Sequence, residues 1–266
     1  GQNAENYGIL NAEFDINGIL KRVSNSVVET SKNKSSIIED IKNFEVGVSP
    51  KVGSIKEIDS LPENRRKAPS QWTAMMADSM REALGVDVAL INSANIRKIP
   101  QIGKLTEQDI EESAPMKNDL IKTQMSEEQI VSGIKNAAYR SMGATDGYPG
   151  LLQCSGIKYT IDSNGSLLNL SFVDKEGRET PVDINNPSKT KMYTVALDSF
   201  LANGKEYPEM VPKSQVEKFN YDKDTTMINY LKSRADKEDL VIKDDGRLKI
   251  VQTSQAPRQS SSTRNI

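Results

Sequence analysis

The chain has 266 residues, 35 Lys and Arg against 37 Asp and Glu, and a formal net charge of −2, which leaves no basic face for the backbone of a nucleic-acid polymer. It contains no histidine and one cysteine, Cys154, so an internal disulfide, Ser–His and Cys–His nucleophile pairs, and imidazole-bearing zinc or dinuclear metallophosphatase sites are excluded within it. No apolar run approaches the roughly 18–20 residues of a membrane span.

In chain order, Tyr7–Asp15 and Ile19–Val28 alternate around Asn17-Gly18, which predicts a hairpin. A polar stretch with a short helical pattern at Ile37, Ile38, Ile41 and Phe44 follows, and the Gly and Pro cluster between Val46 and Gly53 marks a boundary. Pro69 to Leu84 reads as a helix, with Pro69 in its first turn, Trp72, Met75, Met76, Met80 and Leu84 on one face, and Gly85 as its stop. Asp87–Asn92 reads as a short buried strand. Thr106 with Asp109, and Ser126 with Gln129, have capping-box spacing at the start of two further helices, the second running to about Met142. Strands are predicted at Asp119–Met125, Ile157–Ile161, Leu167–Val173 and Met192–Leu197, and a last helix at Thr225–Arg234. Leu240–Ile242 and Leu248–Val251, joined by Asp244-Asp-Gly246, read as a closing hairpin. The Ser-rich tail, residues 253–266, is expected to be disordered. No signal peptide is evident, and the leading Gly1 leaves a removed signal open.

Five segments stand out: Asp87-Val-Ala-Leu-Ile-Asn-Ser-Ala-Asn-Ile-Arg97, Ile102-Gly-Lys-Leu-Thr106, Ala114-Pro-Met-Lys-Asn118, Leu152-Gln-Cys-Ser-Gly156, and Asp198-Ser-Phe-Leu-Ala-Asn-Gly204 with Tyr207-Pro208 after it. In the first, a buried strand ends in small polar residues and then an Arg, and ligands of α/β folds often sit at such strand ends. In this order and at these spacings the series resembles the C-terminal domain of 5'-nucleotidases, a family that also covers UDP-sugar hydrolases and cyclic phosphodiesterases. The family pattern is Asn-Ser/Gly-Gly-x-Ile-Arg, Gly-x-Ile/Leu-Thr, Pro-Phe-x-Asn, Leu-Gln-x-Ser-Gly, then Asp-Phe-Leu-Ala-x-Gly-Gly.

The resemblance implies an α+β fold of mixed sheets with flanking helices over residues 46–252, preceded in residues 1–45 by a hairpin and linker from a metallophosphatase domain. It implies a nucleoside or nucleotide substrate, a catalytic N-terminal domain in cis that holds the divalent metals, no metal or cofactor in this chain, and a periplasmic or extracellular setting. The substrate-binding residues it maps onto this sequence are Arg66, Asn92, Arg97, Met116, Asn118, Phe200 and Tyr207, with a base clamped between two aromatic side chains and the arginines on phosphate.

Three departures bear on that reading. Met116 stands where the first clamping aromatic belongs, Ala94 and Asn95 stand where the family has glycines, and Gly204-Lys205-Glu206 is one residue shorter than the family's stretch. Phe200 meets the second aromatic position only with that deletion; otherwise the position is Ser199. A degenerate, non-catalytic binding or scaffold module on the same fold is therefore the alternative. Plainer readings stand beside the site: Arg97 as a surface Arg, Arg65-Arg66-Lys67 as a solvated loop, Asn118 as a turn residue, and Phe200 and Tyr207 as core. The Trp72 and methionine stripe reads as helical core and Cys154 as a buried thiol.

Overall fold

The computed structural model describes residues 6–14, 20–29 and 49–253. The chain divides into two compact units, Gly1–Val48 and Ser49–Ile266. In the first, β1 (Asn6–Phe14) and β2 (Leu20–Glu29) pair antiparallel, from Asn6 opposite Glu29 to Glu13 opposite Arg22. The Asn17-Gly18 turn, the helical pattern at Ile37–Phe44 and the tail beyond Thr253 lie outside the described residues.

The second unit carries β3 (Lys51–Ile58), α1 (Gln71–Leu84), β4 (Val88–Asn92), β5 (Gly103–Thr106), α2 (Glu107–Ser113), β6 (Asp119–Ser126), α3 (Glu127–Gly143), β7 (Leu152–Ser155) and β8 (Ile157–Asp162). It continues with β9 (Leu167–Val173), β10 (Glu179–Pro181), β11 (Met192–Asp198), α4 (Ser199–Ala202), β12 (Glu217–Asp222), α5 (Lys223–Ser233), β13 (Leu240–Ile242) and β14 (Leu248–Val251). The strands form a five-stranded sheet of order β12-β6-β11-β4-β7, a four-stranded sheet β10-β9-β8-β14 and a three-stranded sheet β13-β3-β5. In the five-stranded sheet β11 runs parallel to β4 and antiparallel to β6. The fold is α+β, with mixed sheets and flanking helices.

Side-chain alternation along β4 explains the layering. Val88 and Leu90 belong to one core, Ala89 and Ile91 to the other, as a period of two dictates for a strand buried on both faces. The first core is closed by Ile130, Val131 and Ile134 of α3 and by the four-stranded sheet. The second is closed by Trp72, Met76 and Met80 of α1, by Met227 and Leu231 of α5, and by the three-stranded sheet. The Trp72 stripe is core as expected, and its indole N–H donates to Ser113 Oγ at 3.0 Å.

Several local expectations shift. Ser70, not the residue before it, opens α1: its Oγ accepts from Thr73 N, a cap contributing about 1 kcal/mol, so Pro69 precedes the helix. Gly85 ends α1 at φ +60°, a left-handed conformation that glycine takes without strain. The Thr106–Asp109 capping box is complete. At α3 only half of one is present, because Gln129 Nε2 donates to the carbonyls of Glu209 and Val211 rather than back to the cap.

The closing hairpin is not formed. β13 pairs in parallel with β3, and β14 in parallel with β8, in different sheets. Leu240 and Ile242 bury in one core and Leu248 in the other. Arg247 pins the crossing between them. Its guanidinium, partly buried, reaches both oxygens of Asp78 at 2.6 and 3.0 Å, the Asp245 carboxylate and the Cys154 carbonyl.

Candidate functional site

The site is built where β4 ends. Asn92 is the last strand residue, and a single 3₁₀ turn, Ser93–Asn95, follows it. Ser93 N and Oγ both donate to Leu151 O at 2.8 Å, and Leu151 N donates to Arg66 O at 2.9 Å. Gln153 on β7 accepts from Ser70 N and donates to Ala68 O and Ser93 Oγ. These bonds fix the Arg65–Lys67 turn beside the end of β4. Gly150 makes the approach possible: at φ +105°, a Cβ there would sit 3.4 Å from Ala94 N.

One buried carboxylate ties two further segments to the Ser93–Asn95 turn. Asp198, at the end of β11, accepts from Asn95 Nδ2 at 3.0 Å and from Asn118 Nδ2 at 3.2 Å through Oδ2. Its Oδ1 accepts from Leu201 N at 2.9 Å and so caps the short α4 that carries Phe200. Asn95 Nδ2 also donates to Asn92 Oδ1 at 3.0 Å.

The result is a pocket of about 310 Å³ lined by Arg66, Asn92, Arg97, Met116, Asn118 and Phe200, with Ala94, Asn95, Tyr148 and Pro149 completing it. Six of the seven residues mapped from sequence therefore meet at one cavity. The seventh, Tyr207, does not line it. It is 2% exposed, its hydroxyl lies 2.8 Å from Pro149 O and 3.0 Å from Gly150 O, and its ring meets Phe200 edge-on at 6.3 Å. Tyr207 supports the wall from behind, and burial pushes its phenol pKa well up. A wider cleft of about 500 Å³ between Lys122–Gln124 and Ser214–Glu217 gathers no comparable set of like charges or aromatic rings.

Two contributors were missed in the sequence. Tyr148 is 38% exposed on the rim, with the Arg66 guanidinium 5.5 Å from its ring centroid. Its signal is an aromatic set among turn residues, Gly147-Tyr148-Pro149-Gly150, just ahead of a buried strand. Arg65 is the other. Its Nε is buried without a partner, and burial, then the charges of Arg97 and Arg66, lower its pKa. Three guanidiniums thus crowd together, and among the described residues the carboxylate in ion-pair range is Asp146, 3.7 Å from Arg66. Such a cluster favours an anion between its members. Met116 is 49% exposed, and Asn95 Oδ1 is a buried acceptor without a donor.

The described residues include no group of three or more His, Cys, Asp and Glu side chains placed to hold a metal, and no helix long and apolar enough to cross a membrane. Cys154 is buried with its Sγ 3.2 Å from Ile157 O, and burial pushes its thiol up to about 12, as for an inert core thiol.

Residues 51–213, which supply every wall of this pocket, match the family described as 5'-nucleotidase, C-terminal domain. The chain belongs to that family. No curated protein matches it in sequence. Among solved structures it is similar to a 5'-nucleotidase precursor from Thermus thermophilus, at TM-score 0.68 and 18% identity over 93% of this chain and 50% of that one. It is also similar to the NAD nucleotidase of Haemophilus influenzae, at TM-score 0.67 and 17% identity over 93% and 53%. A sulfate thiohydrolase from Thermus thermophilus shares the fold at TM-score 0.55 and 12% identity over 92% and 44%. The chain spans about half the length of these proteins. The last of them is named for a different substrate, so the fold alone does not choose the ligand; the pocket must.

Proposed function

We propose that this chain is the substrate-binding domain of a 5'-nucleotidase-type metallophosphohydrolase and that its pocket holds a nucleoside monophosphate. The observation that carries the reading is the meeting of two arginines, Arg66 and Arg97, with two aromatic rings, Tyr148 and Phe200, in one cavity of a 5'-nucleotidase C-terminal domain, with the charge of Arg65 close beside them. The guanidiniums suit a phosphate, and Arg97 is exposed and free to turn toward one. The rings suit a base, since each base–aromatic stack contributes ~1–3 kcal/mol. Asn95 Oδ1, buried and unpartnered, is an acceptor for a ribose hydroxyl or an exocyclic amine.

Phosphate release belongs in this reading to an N-terminal metallophosphatase domain in cis, which carries the divalent metal ions, and the whole acts in the periplasm or outside the cell. The test is calorimetry of this chain with AMP, adenosine and inorganic phosphate. AMP should bind more tightly than either fragment, and Arg97→Ala should weaken AMP about tenfold, the loss of roughly 1.4 kcal/mol, while leaving adenosine unchanged. Absence of AMP binding at millimolar concentration would overturn the reading and favour a scaffold role for the domain.

A further inference from the structure

Beyond residue 213, where the family match ends, α5 brings a buried cation under the pocket. Lys223 is wholly buried, and its Nζ donates to the Met116 carbonyl. The residues on either side of it act on the same loop. Lys117 Nζ lies 2.7 Å from Asp224 Oδ2 and 3.5 Å from Asp222 Oδ2. Asn118 Nδ2 lies 3.2 Å from Asp198 Oδ2. Three consecutive loop residues are thus each held by a different group, Met116 through its carbonyl, Lys117 through its ammonium and Asn118 through its amide.

We infer that Asp198 and Lys223 are positioning residues, which hold the Met116–Asn118 loop against Asn95 and Phe200 and so set the width of the pocket. The inference rests on the nucleotide reading only for the name of the ligand; the fixing of the loop is a property of the chain itself. An exposed loop bearing a half-exposed Met116 has no apolar anchor of its own, so ionic and amide contacts must order it. The charges compensate one another. Burial lowers the Lys223 pKa, while the carboxylates of Asp224, Asp198 and Asp222 oppose that shift. Burial raises the Asp224 pKa against Lys117 and Lys223. Removing one member leaves the others buried and under-compensated, so the set holds together or loosens as a unit.

The experiment compares the wild-type chain with Lys223→Met, which keeps an unbranched side chain but removes the ammonium, and with Asp198→Asn, which keeps the shape and removes the charge. Backbone amide order parameters are measured for Met116–Asn118 and for Leu90 and Ile91 in the buried strand. The wild-type loop should be rigid, near 0.85, and should fall below about 0.6 in either variant while the strand stays rigid. AMP affinity measured on the same samples should fall about tenfold, the size of coupling between members of one network. Unchanged loop order in both variants overturns the inference. Equal loss of order in loop and strand also overturns it, because it shows a general structural role. Selective loosening of the loop in a chain whose wild type does not bind AMP supports the positioning role and removes the nucleotide reading instead.

Discussion

Replacing Tyr148 by Ala separates the two halves of the pocket. The side chain is 38% exposed, so its removal creates no core cavity, and the fold should survive with little change in Tm. Two contributions are lost. The ring is one of the two faces open to a base, a contact of ~1–3 kcal/mol. It also carries Arg66, 5.5 Å from its centroid, a cation–π contact contributing ~0.5–1 kcal/mol at an exposed position. Together they predict that adenosine and AMP affinity falls at least tenfold, since each ~1.4 kcal/mol is one order of magnitude. Inorganic phosphate meets the guanidiniums and not the ring, so its affinity should change less than threefold. Tyr148→Phe should restore adenosine binding, which excludes the hydroxyl as the source of the effect. The assay is calorimetric titration of each ligand into wild type and both variants at one ionic strength. Equal losses for adenosine and phosphate, or no loss for either, would refute the assignment of the ring to the base.

Met116→Phe supplies a further aromatic face and should tighten adenosine about tenfold, roughly 1.4 kcal/mol, read in the same titration; no gain places the base elsewhere. The chain by itself has no histidine and should release no phosphate above a buffer blank from AMP, UDP-glucose or a chromogenic phosphate ester with manganese or zinc, and metal-dependent turnover would contradict this. Cys154, pushed up to about 12, stays protonated throughout neutral pH. It should therefore react with a disulfide reagent at pH 8 only after denaturation, and fast reaction in the native chain would show that the thiol is not buried.

What the sequence revealed follows from how local each signal is. The α1 stripe of Trp72, Met76 and Met80, the Gly85 stop and the Thr106–Asp109 box are written within one or two turns of chain, and the structure repeats them. The strand β12 left no such trace. Its residues are exposed or half-buried without alternation, because it lies at a sheet edge and is held by backbone pairing to β6. The misread hairpin at Leu240–Val251 failed for a related reason. Two short apolar runs around an Asp-Asp-Gly turn look alike whether they pair with each other or with separate sheets, and only the burial of Leu240 and Leu248 in opposite cores decides it.

The site divides in the same way. Arg97, Met116, Asn118 and Phe200 lie in segments with a recognisable pattern. Tyr148 reaches the pocket, and Arg65 comes close beside it, through bonds between distant segments, such as Leu151 N to Arg66 O, which no spacing records. Tyr207 lies behind the wall rather than in it, because an aromatic in a loop ahead of a proline gives no sign of which way it faces; here its hydroxyl points inward, within hydrogen-bond reach of the Pro149 and Gly150 carbonyls.

The parting of the last two strands also bears on synthesis. As the chain leaves the ribosome, β3 has β5 on one flank and β8 has β9 on one flank, but the other flank of each is taken only by β13 and β14, which emerge last. Until then the nascent domain presents the eight-residue β3 and the six-residue β8 as sheet edges, where the folded domain presents only the three-residue β13 and the four-residue β14, and long edges are the surfaces most prone to pair with a neighbouring chain. A stop codon ahead of Leu240 would spare every residue that lines the pocket and still release a chain with both longer edges uncovered, so such truncations should be lost to aggregation rather than to any failure of the site.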